Sequence, residues 1–204
     1  MSQWKNGIAK LTMPTPFPVG DVHSYLIKGD RLTLVDAGVR TKKAWEAFRE
    51  QLAELRLQPE DIEQVILTHH HPDHVGLLDF LPAELEIYAH LHNERWLERT
   101  PEFIQHHDEF YSMLFRQFGI PDEYFVPAIG RMKKTLLFSC SPRRISMAID
   151  EKTSIPGLDG WSIIETPGHA QGHITLYRQS DGVLIGGGTF LSKNLPKPLF
   201  GSPL

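Results

Sequence analysis

Apolar positions along this chain follow two alternating rhythms. Val22 to Lys28 and Arg31 to Ala37 carry clustered or alternating apolar residues, which predict two strands joined by a Gly29-Asp30 turn. After Thr41 the period changes. Trp45, Phe48, Leu52 and Leu55 fall at helical spacing, with Lys42, Lys43, Glu46, Arg49, Glu50 and Glu54 outside that stripe. Thr41 is a good cap for this helix, which is expected to run to about Leu57, before Pro59 closes the segment. Val65-Ile66-Leu67 then reads as a buried strand, followed by a short helix from about Asp73 to Leu81 and a strand from Glu86 to Ala89. This β–α–β rhythm predicts an α/β layered fold.

Residues 91 to 140 interrupt the rhythm with a mostly helical, aromatic-rich insert. Glu102 to Phe118 reads as a helix with Phe103, His107, Phe110, Leu114 and Phe118 on one face, closed by Gly119 and Pro121. The bulky residues here (Trp96, Phe110, Tyr111, Phe115, Tyr124 and Phe125) suit an apolar acyl or ring-bearing substrate, but also core packing or a dimer surface. Packing is the more common use of such a stripe. Strands resume at Trp161 to Glu165, His173 to Arg178 and Val183 to Gly187. The tail from Leu191 to Leu204 holds Pro196, Pro198 and Pro203 and reads as extended or irregular. We read a single domain over 1–204.

The chemistry concentrates in Thr68-His69-His70-His71-Pro72-Asp73-His74. Read as H-x-H-x-D-H, it offers His69, His71, Asp73 and His74 as nitrogen and oxygen donors, which suit zinc, iron or manganese. Side chains alternate along an extended chain, so His69 and His71 project to one side. Pro72 holds His71 extended, and a turn after it re-aims Asp73 and His74 to an adjacent point. Two neighbouring metal positions follow from this spacing.

This stretch resembles the signature of the metallo-β-lactamase superfamily, and further matches follow in order. Leu34-Val35-Asp36-Ala37-Gly38 is similar to the family's early strand ending in Asp-x-Gly. Thr166-Pro167-Gly168-His169-Ala170-Gln171-Gly172-His173 is similar to its T-P-G-H-x-x-G-H loop, whose first histidine is a metal ligand. The resemblance implies an αββα sandwich and a first site of His69, His71 and His169. It implies a second site at Asp73 and His74, but with partners missing. Val183 to Phe190 resembles the strand that ends in Gly-Asp-Thr, and Gly188 stands where the bridging aspartate is expected. The family's last metal histidine lies further on, and there is no histidine between His173 and Leu204. The second metal is therefore expected to bind weakly or not at all. The sandwich is expected to be incomplete at its C-terminus, or finished by another subunit in a homo-oligomer.

Other residues take lesser roles in this reading. Asp36 is expected near the metals as a hydrogen-bond partner of a ligand, or to serve the turn alone. His173 is expected to support the site rather than to ligate. His70 should point away, buried and hydrogen-bonded. His23 is a candidate substrate contact, while His90, His92, His106 and His107 lack ligand spacing tied to the motif.

Composition narrows the function. The chain has 204 residues, 41% of them apolar, and a formal net charge of −4. That charge argues against a nucleic-acid partner, which usually demands a basic stripe. No apolar run approaches the roughly 18 residues of a membrane span. The one cysteine, Cys140, allows no internal disulfide and has no adjacent histidine, so an inert thiol and a cytoplasmic location are the simplest readings. The expected function is a hydrolase acting on an ester-like small molecule, a thioester or a lactone, through metal-bound hydroxide. Zinc is the expected cofactor, with iron or manganese as substitutes, and Asp73 is the expected catalytic residue, orienting water or taking its proton. The alternative is a degenerate, non-catalytic member that binds one metal or none.

Overall fold

The computed structural model describes residues 2–188. A six-stranded sheet runs β1 (Ile8–Met13), β2 (Val22–Lys28), β3 (Leu32–Val35), β4 (Gln64–Leu67), β5 (Glu86–Ala89) and β6 (Met147–Ala148), neighbours in that order. β1, β2 and β3 pair antiparallel, whereas β3 to β6 pair parallel. A second, antiparallel sheet holds β7 (Trp161–Glu165), β8 (Ile174–Arg178) and β9 (Val183–Ile185).

Alternation along the strands divides the core in two. Leu26, Leu34, Val65, Leu67 and Ile87 pack with Ala44, Phe48 and Leu52 of helix α1 (Lys42–Glu54). Their sequence neighbours Ile27, Val35, Ile66 and Tyr88 pack instead with Trp161, Ile163, Ile174, Leu176 and Ile185 of the second sheet. All of β4 is consequently buried, and it reads as a continuous apolar run after Gln64. The described residues thus form a helix–sheet–sheet stack, and Ile164 and Leu184 on the second sheet's other face are exposed.

Several expected boundaries shift for local reasons. Thr41 does cap α1, accepting from the Ala44 amide, but the helix ends at Glu54 and Arg56 turns at φ 61. β3 stops at Val35 because Asp36 takes φ 60, which bends the chain out of the sheet. The helix expected from Asp73 divides into one turn, α2 (Pro72–Val75), and a 3-10 segment at Gly76–Phe80. The insert contains three helices, α3 (Glu94–Glu98), α4 (Pro101–Gln117) and α5 (Phe125–Thr135). In α4 the buried residues are His107 and Tyr111, whereas Phe118 lies beyond the helix and is 65% exposed. Pro127 and Gly130 mask α5 in the sequence, since neither favours a helix interior. β1 was not among the predicted strands, although Lys10 to Met13 alternate polar and apolar with Leu11 and Met13 turned inward. The tail from Leu191 onward lies outside the described residues. No helix among the described residues is long and apolar enough to cross a membrane.

Candidate metal centre

The heptad follows β4, one of the parallel strands, so it emerges at the carboxyl edge of the sheet, where open α/β sheets commonly bind ligands. Asp36 follows β3 beside it. The loop between β7 and β8, carrying His169, arrives from the second sheet. The Ile174 amide donates to the Thr68 carbonyl at 2.9 Å and ties β8 to the heptad.

Asp36 organises the near side. It is 2% exposed, and its Oδ1 accepts from the Thr68 amide at 2.8 Å. Its Oδ2 accepts from the Thr68 hydroxyl at 2.8 Å and pairs with His74 Nδ1 at 2.8 Å. The positive φ suits aspartate better than most residues, since its short polar side chain tolerates the left-handed region. A tautomer follows from this arrangement. Thr68 spends its one hydroxyl proton on Asp36, so it accepts at 3.0 Å from His69 Nδ1–H. The His69 Nε2 lone pair is then left for another partner, and that buried atom has no hydrogen bond.

His69, His71 and His169 each bring one ligand atom to within 4.8 Å of the others. His71 Nδ1 and His169 Nε2 are 2.9 Å apart and face each other across the place where a cation would bind both. Zinc bonds of 2.0–2.1 Å in a tetrahedral site separate ligand nitrogens by about 3.3 Å, so these residues fit such an ion after a small adjustment. Burial holds His69 well below its ordinary pKa, helped by neighbouring His74 and His71, and burial lowers His71 strongly too. Neutral imidazole is the form that ligates.

Asp73 and His74 stand beside this triad. His74 Nε2 lies 3.6 Å from Asp73 Oδ2, and the His69 and His74 ring centroids are 4.1 Å apart. Burial lowers His74, but the Asp36 carboxylate overrides it and raises the group to about 9. A cation here must displace that proton. Of the neighbouring glycines, Gly187 takes φ +54 with its Cβ position 2.4 Å from Thr68 Oγ1, so no larger residue fits. Among the described residues nothing lies within 4 Å of a Cβ at Gly188, and glycine offers no carboxylate.

The remaining expectations resolve residue by residue. Asp36 reaches His74 and, through Thr68, His69, as a supporting partner should. His173 is 1% exposed, with Nδ1 2.7 Å from Thr166 Oγ1, and burial lowers it to about 4. His70 turns away from the triad, donating from Nδ1 to Asn93 Oδ1 at 3.0 Å and stacking on Trp96 at 4.4 Å. His23 is exposed and lies 3.1 Å from Thr12 on β1, so the structure pairs it there and not with the cluster. Tyr111 and Phe125 are buried, and the insert aromatics from Trp96 through His107 and Tyr111 to Phe115 and Phe125 form a packed series. Cys140 is 2% exposed, and burial raises its thiol, the condition of an inert cysteine. Thr68 and Asn93 were missed. Thr68 precedes the first histidine of the motif and carries no ligand chemistry of its own, and Asn93 has no local signal at all.

The family model described as Metallo-beta-lactamase superfamily matches residues 17–203. A probable metallo-hydrolase of Bacillus subtilis (strain 168), YqjP, is 40% identical over 200 residues, covering 96% of this chain and 61% of the relative. A second from the same organism, YflN, is 28% identical over 160 residues, covering 74% of this chain and 50% of its own. The crystal structure of a metallo-beta-lactamase family protein from Thermus thermophilus superposes with a TM-score of 0.78 at 30% identity, covering 95% of this chain and 63% of that one. The chain therefore spans about half to two thirds of the length of these relatives.

Proposed function

Because the chain belongs to the metallo-β-lactamase superfamily, we propose that it is a metal-dependent hydrolase whose His69, His71 and His169 hold one cation and whose substrate is a small molecule with a thioester or lactone bond. The observation that carries this reading is the convergence of three imidazoles around the buried, unpartnered Nε2 of His69. A zinc ion bound there supplies Lewis acidity, which polarises a carbonyl and lowers the pKa of water from about 15.7 to about 7.

The chain's own residues supply the rest. Thr68 and Asp36 keep the His69 proton on Nδ1, so Nε2 stays available. Asp73 is partly exposed beside the triad, at 19%, and its carboxylate can orient a water and accept its proton. Gly188 leaves Asp73 and His74 without a bridging anion, and the His74 proton competes for the same place, so one metal per chain is expected. A formal charge of −4 favours a small-molecule substrate over a polyanion. The single buried cysteine fits a reducing, cytoplasmic setting.

The test couples metal analysis to turnover. Purified protein should carry one zinc, iron or manganese per chain and hydrolyse members of a thioester and lactone panel, and His169→Ala should lose both. Protein that takes up no metal after reloading, or His169→Ala with unchanged metal content, overturns the site. Full metal occupancy with no turnover across the panel favours the non-catalytic alternative, for which Gly188 is the motivating residue.

A further inference from the structure

We propose that Asn93, with Trp96 stacked on its partner His70, is a positioning clamp that holds the heptad loop and the His169 loop in register and so keeps the three histidines converged. The inference rests on the metal reading for its consequence, but the clamp itself is a property of the chain.

The two loops come from different sheets and are far apart in sequence; the Ile174–Thr68 backbone bond joins them at the start of the heptad, and Asn93 adds a second tie at His70. Asn93 lies where the 3-10 turn Leu91–Asn93 enters α3, at the start of the insert, and is fully buried. Its Nδ2 donates to the Gly172 carbonyl at 2.8 Å, which fixes the amide orientation. Its Oδ1 therefore faces His70 Nδ1 and accepts at 3.0 Å. One side chain thus bonds both ligand-bearing loops, one residue from His69 and His71 on one side and three from His169 on the other. Gly172 is part of the fit, because a Cβ there would sit 2.9 Å from Asn93 Nδ2. Trp96 stacks on the His70 ring at an interplanar angle of 9°, and Arg95 donates to Gln171 in the second loop. Of the two heptad histidines outside the triad, His74 pairs with Asp36 and His70 faces Asn93. This arrangement gives His70 a task as the handle by which the loop is gripped.

A buried amide that loses its side chain leaves both of its partners unsatisfied, so the loops should separate together. The expected effect on metal affinity is that of removing an outer partner of a ligand set, about 10- to 100-fold. The experiment compares wild type, Asn93→Ala, Trp96→Leu and Trp96→Phe. Hydrogen exchange of the metal-free proteins should speed up in both 68–74 and 166–173 in Asn93→Ala, while β1 and α1 stay protected. Zinc affinity, measured against a chromophoric chelator, should fall about 10- to 100-fold in Asn93→Ala. The cobalt-substituted protein should show an altered d–d spectrum. Trp96→Leu, a partly exposed site less prone to unfolding, should loosen the heptad loop, and Trp96→Phe should restore it by keeping a stacking ring. Unchanged exchange in either loop, or wild-type zinc affinity in Asn93→Ala, overturns the clamp. Wild type that binds no zinc, while both loops loosen in Asn93→Ala, overturns the metal reading and supports the clamp.

Discussion

Replacing Asp36 with asparagine removes one charge from a buried pair while preserving shape. Asn tolerates the positive φ of this position and keeps an oxygen for the Thr68 amide at Oδ1. What is lost is the anion beside His74, together with the Oδ2 acceptor of the Thr68 hydroxyl, which must turn to another partner. Burial alone would hold His74 neutral, and the carboxylate instead raises it from 6.5 to about 9. Each unit of that difference is worth about 1.4 kcal/mol, so the pair contributes about 3 kcal/mol. The sign follows from the direction. A histidine raised in the folded state binds its proton more tightly than the unfolded chain does. Its contribution is complete below pH 6.5, declines as pH rises, and is gone above about 9. The metal-free Asp36→Asn protein should therefore be less stable by about 3 kcal/mol at pH 6, with a melting temperature lower by about 6–12 °C for a domain of this size. The gap should narrow towards pH 9.5. Urea denaturation in the presence of a chelator, run at both pH values, measures it. A loss under about 1 kcal/mol at pH 6, or one that does not change with pH, would refute the charged Asp36–His74 pair.

Three further outcomes are expected. Gly188→Asp should fold normally, since no described residue lies within 4 Å of its Cβ position, and should raise zinc stoichiometry towards two per chain by elemental analysis; no gain means that the absent bridge is not what limits the second position. Gly187→Ala forces a Cβ to 2.4 Å from Thr68 Oγ1 at a positive φ, and should cost on the order of 1–3 kcal/mol in denaturant unfolding; a neutral result would contradict that close approach. Metal-free protein should lose stability as pH falls below 6.5, because burial holds His173 at about 4 and His70 at about 3 while the unfolded chain takes up protons. His173 alone accounts for about 2 kcal/mol by pH 5, and a flat urea midpoint between pH 7 and pH 5 would remove the premise.

Local signals were enough for much of the fold. The boundaries of β2, β5 and β7 follow directly from runs of apolar residues, and Thr41 marks the start of α1. Those features depend on neighbours within a turn or two, which the sequence displays. β1 displays a polar–apolar alternation from Lys10 to Met13, but its place at the sheet edge comes from backbone hydrogen bonds to β2. α5 was hidden by a proline and a glycine, whose cost is offset by burying Phe125 and Ile129.

The candidate site divides the same way. The heptad and the His169 loop name the donor atoms, because ligand chemistry belongs to residue types and short spacings. The superfamily, the α/β layering and the three histidines were all legible in the chain before it folds. Tertiary structure decided which nitrogen of His69 is available, through a Thr68 hydroxyl whose proton is committed to Asp36. It also decided the task of His70, by bringing Asn93 from 23 positions away against both loops. Such roles depend on where a proton goes and which chain segments meet, and long-range packing sets both.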